Sequence, residues 1–103
     1  MTLQENTYLS LWRGVQRYYW KPGRRTRVEI ASEVCDRHRL SITELVSKSR
    51  ERRIAWPRQE AMYMMRLQGF TLNQIGRYLG GRDHSTVLTG VKRHLERLAS
   101  VTD

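Results

Sequence analysis

Two helix-start signals separated by a glycine pair constrain the fold of this chain more than any other feature of its sequence. Thr71 and Gln74 have the spacing of a capping box, in which two side chains satisfy backbone N–H groups at the start of a helix. Gly80-Gly81 ends that helix, and a second one opens after Asp83, with apolar residues at helical spacing until about residue 99. Two helices joined by a tight glycine turn are typical of a helix-turn-helix.

Three further helices are predicted ahead of this pair. Helical spacing indicates one over about residues 27–39, with a stripe made of Val28, Ala31, Val34, Cys35 and His38. Ser41 and Glu44 repeat the capping-box spacing and predict a short second helix. Pro57 suits the first position of a third helix, where its missing N–H has no partner to lose. Because no segment alternates with a period of two, we predict an all-α fold.

The chain divides at about residue 26. Residues 1–20 have the spacing of an aromatic-rich helix, which Pro22-Gly23 and a basic tether separate from a domain over residues 27–103. The aromatic side chains leave three interpretations open: they cover the domain's own core, they pair with another protein or a second copy of the chain, or they touch a membrane. As a binding partner of residues 1–22, we expect a replication or transcription protein or a second copy of the chain rather than a membrane.

The charge of the chain favours nucleic acid as a partner. Lys and Arg number 19 against 10 Asp and Glu, which gives a net charge of +9, and sixteen of the basic residues are Arg. Arginine makes planar, bidentate contacts to phosphate and guanine. An anionic membrane surface is the second interpretation of this charge.

Several other classes find no support in the sequence. It has no apolar run long enough to span a membrane, no signal-peptide pattern and a single cysteine, which together predict a cytoplasmic, nucleoid-associated protein. No catalytic triad, carboxylate pair, phosphate loop or zinc-ligand spacing is visible, so we expect neither an enzyme nor a metal or other cofactor.

Candidate DNA-binding side chains lie on the predicted second helix of the pair and in a basic segment. A helical projection places Ser85, Thr86, Thr89 and Arg93 opposite the apolar stripe, where hydroxyl and guanidinium groups suit base edges and phosphates. His84 falls toward the apolar side in this projection. The basic segment runs from Lys48 to Arg58, and without further information it is equally typical of a solvated loop.

The segments SKSRERRIAWPRQEAMYMMR and TLNQIGRYLGGRDHSTV closely resemble the C-terminal DNA-binding domain of the bacterial replication initiators of the DnaA family. The string GGRDHSTV carries most of the resemblance, which covers residues 27–99. It implies a fold related to the Trp repressor, with one monomer bound to each asymmetric, A·T-rich box of the TTATCCACA type.

The resemblance also implies roles for individual residues. Arg50 corresponds to an arginine that enters the minor groove, whose narrowness in A·T-rich DNA concentrates negative potential. Asp83, His84 and Ser85 correspond to major-groove readers, and Thr86 and Thr89 to further groove or backbone contacts. The implied or expected phosphate contacts are Lys48, Arg52, Arg58, Gln59, Arg66, Leu72, Asn73, Arg82 and Arg93. Asp83 also has a plain alternative as a helix N-cap.

The chain departs from the family pattern in two ways that bear on function. Ser85 stands where Thr is more common and Asn73 where Pro is more common, which affects the expected box rather than the expectation of DNA binding. The sequence also lacks the GxxxxGK[ST] motif of an ATPase domain. The chain is therefore either an excised domain or a free-standing small protein, and its N-terminal Met and the unfamiliar segment 1–26 favour the second. We expect it to regulate replication initiation or transcription at DnaA-box-like sites. The alternative is an adaptor that uses DNA binding only to localise a partner.

Overall fold

The computed structural model describes the backbone of residues 25–102 and the side chains of residues 25–100. In this part of the chain there are five α-helices and no strand, which confirms the all-α prediction. The helices are α1 (Arg27–His38), α2 (Ile42–Leu45), α3 (Arg52–Leu67), α4 (Leu72–Tyr78) and α5 (His84–Thr102). The predicted N-terminal helix lies outside the described residues.

The helix starts follow the capping residues of the sequence. Ser41 and Thr71 each accept a hydrogen bond from the backbone N–H three residues later, at 3.1 Å, and the Glu44 and Gln74 side chains accept in return. Thr26 caps α1 in the same way by accepting from the backbone N–H of Glu29. Asp83 accepts likewise from the backbone N–H of Thr86 at the start of α5. Local side-chain chemistry therefore fixes where four of the five helices begin.

The start of α3 differs from the prediction. The helix begins at Arg52, so Pro57 lies inside it rather than at its first position. Ile54 is only 4% exposed, and burying this side chain stabilises a helical turn ahead of the proline. As a result the basic segment is mostly helical, and only residues 46–51 form a loop.

The hydrophobic core surrounds α3, which packs between α1 and α5. Tyr63 and three methionines of the same helix, Met62, Met64 and Met65, are buried. In α1 the predicted stripe is wrong at its two ends, because Val28 is 58% exposed and His38 faces the carboxylate of Glu60. Ile30 takes a place in the core instead, together with Ala31, Val34 and Cys35.

The turn between α4 and α5 closes on the backbone of Gly76. The backbone N–H groups of Gly81 and Arg82 both donate to the Gly76 carbonyl, each at 2.9 Å. Gly80 and Gly81 have φ angles of +89° and +78°, which side chains disfavour. A Cβ atom at Gly76 would lie 2.0 Å from the Arg82 carbonyl oxygen, so only glycine permits this close approach.

Candidate nucleic-acid interface

Asp83 forms the N-terminal cap of α5. Its Oδ1 accepts a hydrogen bond from the Thr86 backbone N–H at 2.8 Å. Hydrogen bonding by Thr86 is the main cause that holds the pKa of the Asp83 carboxyl below its usual range. The capping interpretation is therefore confirmed. Because the residue is also exposed, its expected role as a base reader stays a prediction.

The first two turns of α5 present a polar face to solvent. Ser85, Thr86 and Thr89 are exposed, whereas Val87 and Val91 on the opposite face are buried. His84 is exposed as well, so the projection that placed it toward the apolar side was wrong. His84 is the first residue of α5. A helical projection gives only the direction of a side chain around the helix axis, and it does not show whether the core extends as far as the end of the helix.

A single groove brings the loop of residues 46–51 together with this polar face. It has a volume of about 760 Å³, and we call it the basic groove. Six of the residues that line it were expected to contact DNA from the loop or from α5: Lys48, Arg50, Ser85, Thr86, Thr89 and Arg93. Gln59, Arg58 and Arg82, also expected contacts, line its floor. Residues that are 40 positions apart in the chain thus form one continuous surface.

Arg58 holds the loop in place. Its Nε donates to the Leu45 carbonyl at 2.8 Å, and its two terminal nitrogens donate to the carbonyls of Ser47 at 2.7 Å and Ser49 at 3.0 Å. The residue is 6% exposed, and burial together with the charge of Arg82 lowers its pKa to about 10. With a donor on each of its three nitrogens bound to the backbone, Arg58 supports the loop, and its expected phosphate contact stays a prediction.

Arg82 connects the same loop to the helix-turn-helix. One terminal nitrogen donates to the Ser47 carbonyl at 2.6 Å, and the other donates to the Leu79 carbonyl. Burial lowers the pKa of Arg82 as well. The Ser47 carbonyl therefore accepts hydrogen bonds from both Arg58 and Arg82, and this shared acceptor fixes the loop against the turn that precedes α5.

Gln59 and Gly90 shape the floor of the basic groove. The Gln59 Oε1 is buried without a hydrogen-bond partner in the described part of the chain. Gly90 brings α5 close to α3, because a Cβ at this position would lie 2.4 Å from the Met62 sulfur and 3.4 Å from the Gln59 Cγ. Gly90 was not among the predicted site residues, although a glycine in a helix interior costs about 1 kcal/mol relative to alanine and so indicates a close contact.

Four expected phosphate contacts lie outside the groove lining. Arg66, near the end of α3, is exposed and donates to the Phe70 carbonyl at 3.1 Å. Leu72 and Asn73 form the first turn of α4, behind the Thr71 cap, and Asn73 is exposed. Arg52 lies at the start of α3 over the ring of Trp56. The structure therefore groups the loop with Ser85, Thr86, Thr89 and Arg93 of α5 and leaves these four residues outside the lining. The expected base readers Asp83 and His84 are not part of the groove lining either.

The described residues contain no cluster of three or more His, Cys, Asp or Glu side chains that could hold a metal ion. None of the helices in the same part of the chain combines the length and the apolar character that crossing a membrane would require.

Residues 28–93 match the family model described as the bacterial dnaA protein helix-turn-helix. The chain belongs to this family. A helix-turn-helix domain of the DnaA type is a DNA-binding domain rather than a catalytic one, which agrees with the polar face and the basic groove. The family resemblance found in the sequence is confirmed.

Three relatives that match the chain are chromosomal replication initiator proteins DnaA. The protein of Thermomicrobium roseum is 52% identical over 68 residues, which is 65% of this chain and 15% of the relative. That of Zymomonas mobilis is 43% identical over 76 residues, or 73% of this chain and 15% of the relative. That of Lactococcus lactis is 40% identical over 76 residues, which is 73% of this chain and 17% of the relative. The chain thus spans about a sixth of these relatives' length. No solved structure gives a significant match to the chain.

Proposed function

We propose that this chain binds duplex DNA sequence-specifically at DnaA-type boxes, with one domain contacting adjacent minor and major grooves. Arg50 enters the minor groove at the A·T-rich end of the box. Asp83, His84, Ser85, Thr86 and Thr89 enter the major groove. The two sides of the basic groove, a loop with Arg50 and a helix with Ser85, Thr86 and Thr89, support this division. Asp83 and His84 lie outside the groove lining, at the exposed start of the same helix.

The shared Ser47 carbonyl is the observation that carries this proposal. Reading two grooves at once requires the minor-groove arginine to be held at a fixed distance from the recognition helix. Arg58 and Arg82 supply that constraint, since both donate to the Ser47 carbonyl while Arg82 immediately precedes the cap of α5. Because the loop is already held in place, DNA binding does not have to supply the free energy of ordering it.

Phosphate contacts position the domain on the duplex in this proposal. The exposed members of the expected set, Lys48, Arg52, Arg66, Asn73 and Arg93, are available for such contacts. Leu72 contributes through the backbone N–H groups at the start of α4. Gln59 offers its amide from the groove floor. Arg58 and Arg82 act mainly as internal supports, and their charges add to the positive potential of the groove.

The biological role that we propose is regulation of replication initiation or of transcription, exerted on the nucleoid in the cytoplasm. A domain that occupies DnaA-type boxes competes with an initiator for the same sites. The relatives that share this domain are named as replication initiators, which supports DnaA-type boxes as the binding sites. Their names do not indicate whether the chain activates or represses.

Competition binding with altered boxes tests the two-groove proposal. Arg50→Lys keeps the charge but replaces a planar guanidinium with a more strongly hydrated ammonium, which gains less from a narrow groove. We expect this variant to lose preference at the A·T-rich end of the box and to keep it at the other end. Equal losses at both ends, or no loss at the A·T-rich end, would refute the assignment of Arg50.

The same panel of boxes separates the two roles of Asp83. Asp83→Asn retains a good N-cap but replaces a carboxylate, which only accepts hydrogen bonds, with an amide that also donates. If Asp83 accepts from a base, the variant changes its preference at one or two base pairs while its melting temperature stays close to that of the parent. An unchanged preference would leave Asp83 as a cap alone.

A further inference from the structure

An exposed tryptophan lies between two arginines at the edge of the domain. Trp56 on α3 is 45% exposed. The guanidinium carbon of Arg97, on α5, lies 4.5 Å from the centre of the tryptophan ring, and that of Arg52 lies 5.2 Å from it. We call these three residues the Trp56 patch. None of the expected DNA contacts explains Trp56 or Arg97.

The Trp56 patch adjoins the basic groove on both of its helices. On α5, Arg97 follows the groove residue Arg93 by one helical turn, and the charge of Arg93 is the second cause, after burial, that lowers the pKa of Arg97. On α3, Trp56 directly follows Ala55, which lines the groove. The patch therefore extends the positive surface of the groove past the turns of α5 that face the proposed box.

Among the residues that the structure describes, the arginines of the patch have no direct ion-pair partner, and Glu60 and Glu96 act on Arg97 only as nearby charges. In the described part of the chain, no carboxylate forms an ion pair with Arg52 or Arg97. The Nη2 atom of Arg97 is buried and has no hydrogen-bond partner there. A guanidinium held against an aromatic face keeps its N–H groups in the plane, where they suit a phosphate.

We propose that the Trp56 patch binds a backbone phosphate of the duplex outside the box, with Trp56 positioning the guanidinium groups. This inference rests on the proposed function, because it requires the box to occupy the basic groove. A duplex that is bound in the basic groove continues past the box, and its phosphodiester backbone is then the polyanion next to the Trp56 patch. An acidic protein segment is the competing occupant, and it makes no contribution to binding of bare DNA.

The test compares two sets of duplexes with the full chain. One set carries the box alone, and the other extends the box by about five base pairs, half a helical turn, at one end or the other. We expect extension at one end to tighten binding by about three- to tenfold and to steepen the salt slope by about 1, as one additional phosphate contact does. Affinity for the box alone tests the proposed function separately.

Four variants assign this flank-dependent gain. Arg97→Gln and Trp56→Leu should each abolish most of it, while leaving affinity for the box alone within about twofold. Trp56→Phe should preserve it, since a ring remains under both guanidinium groups. Arg39→Asn is the matched control: it removes one charge at an exposed position with φ of +56°, a conformation that Asn tolerates, outside the basic groove.

The outcomes are decisive in either direction. If the parent gains nothing from either flank, or if Arg97→Gln retains the gain, the patch does not bind phosphate. If Arg39→Asn loses as much of the gain as Arg97→Gln, the effect is one of net charge and the proposal fails. Should Arg97→Gln melt below the assay temperature, Trp56→Leu, at an exposed position that is not among the expected DNA contacts, provides the same comparison.

Discussion

Replacing Gly76 with alanine sets two effects of opposite sign against each other. Helix propensity alone predicts a gain of about 1 kcal/mol, because alanine restricts the unfolded chain more than glycine does. The structure predicts a loss. The new Cβ would lie 2.0 Å from the Arg82 carbonyl oxygen, whereas real Cβ atoms essentially never come within 3.0 Å of such an atom, so that backbone must retreat by about 1 Å.

The retreat has a cost that exceeds the gain. Overpacking of this kind costs about 1–3 kcal/mol. It also strains the two hydrogen bonds that the Gly76 carbonyl accepts from Gly81 and Arg82, each of which contributes about 1 kcal/mol. After the propensity gain is subtracted, we expect Gly76→Ala to lower the free energy of unfolding by about 2 kcal/mol. For a domain of this size, that corresponds to a fall in melting temperature of about 8–16 °C.

Thermal and urea unfolding followed by circular dichroism measure this change. Arg77→Ala is the control, because Arg77 is the exposed neighbour of Gly76 on the same helix and its replacement should change stability by less than about 0.5 kcal/mol. A Gly76→Ala variant as stable as the parent, or more stable, would show that propensity dominates and that the turn accommodates a side chain. The turn between α4 and α5 would then not depend on the close approach of the backbone at Gly76.

The remaining predictions concern phosphate contacts and pH. If about six phosphates are contacted, log K should fall with log[salt] with a slope near −5, and a slope shallower than about −2 would contradict the assignments. Arg66→Ala should weaken binding to all duplexes alike, by about 1 kcal/mol, in a competition assay. Burial lowers the pKa of His94 to about 4, from about 6.5 in an unfolded chain, so the unfolded state binds the extra proton first. Stability should therefore fall by up to about 3 kcal/mol as the pH drops from 6.5 toward 4. His94→Leu should flatten the part of this dependence above pH 5, and an unchanged slope would exclude His94 as its source.

Local sequence signals predicted the helices because the groups that start and stop a helix are close together in the chain. Ser41 with Glu44 and Thr71 with Gln74 satisfy each other across three residues, so their pairing needs no knowledge of the fold. The start of α3 could not be predicted in this way. It depends on the burial of Ile54, which is a property of the packed domain, and a proline signal alone pointed five residues too late.

The residues of the site followed from the family resemblance, but their arrangement did not follow from the sequence. The capping role of Asp83 was evident because its partner, Thr86, is three residues away. The role of Arg82 was not evident, because its acceptor, the Ser47 carbonyl, is 35 residues away. A backbone carbonyl has no side-chain identity, so no pattern in the sequence indicates which arginine will bind it.

This distinction changes what the charge of +9 means for DNA binding. Charge acts over distance, so every arginine, buried or not, strengthens the potential that attracts a duplex. A phosphate contact also needs free N–H donors, and Arg58 has committed donors on all three of its nitrogens to the carbonyls of the loop. Arg50 in that same loop is exposed and lines the groove. One arginine thus holds the backbone in the conformation that presents another, and counting arginines alone overestimates the number of contacts that the surface can make.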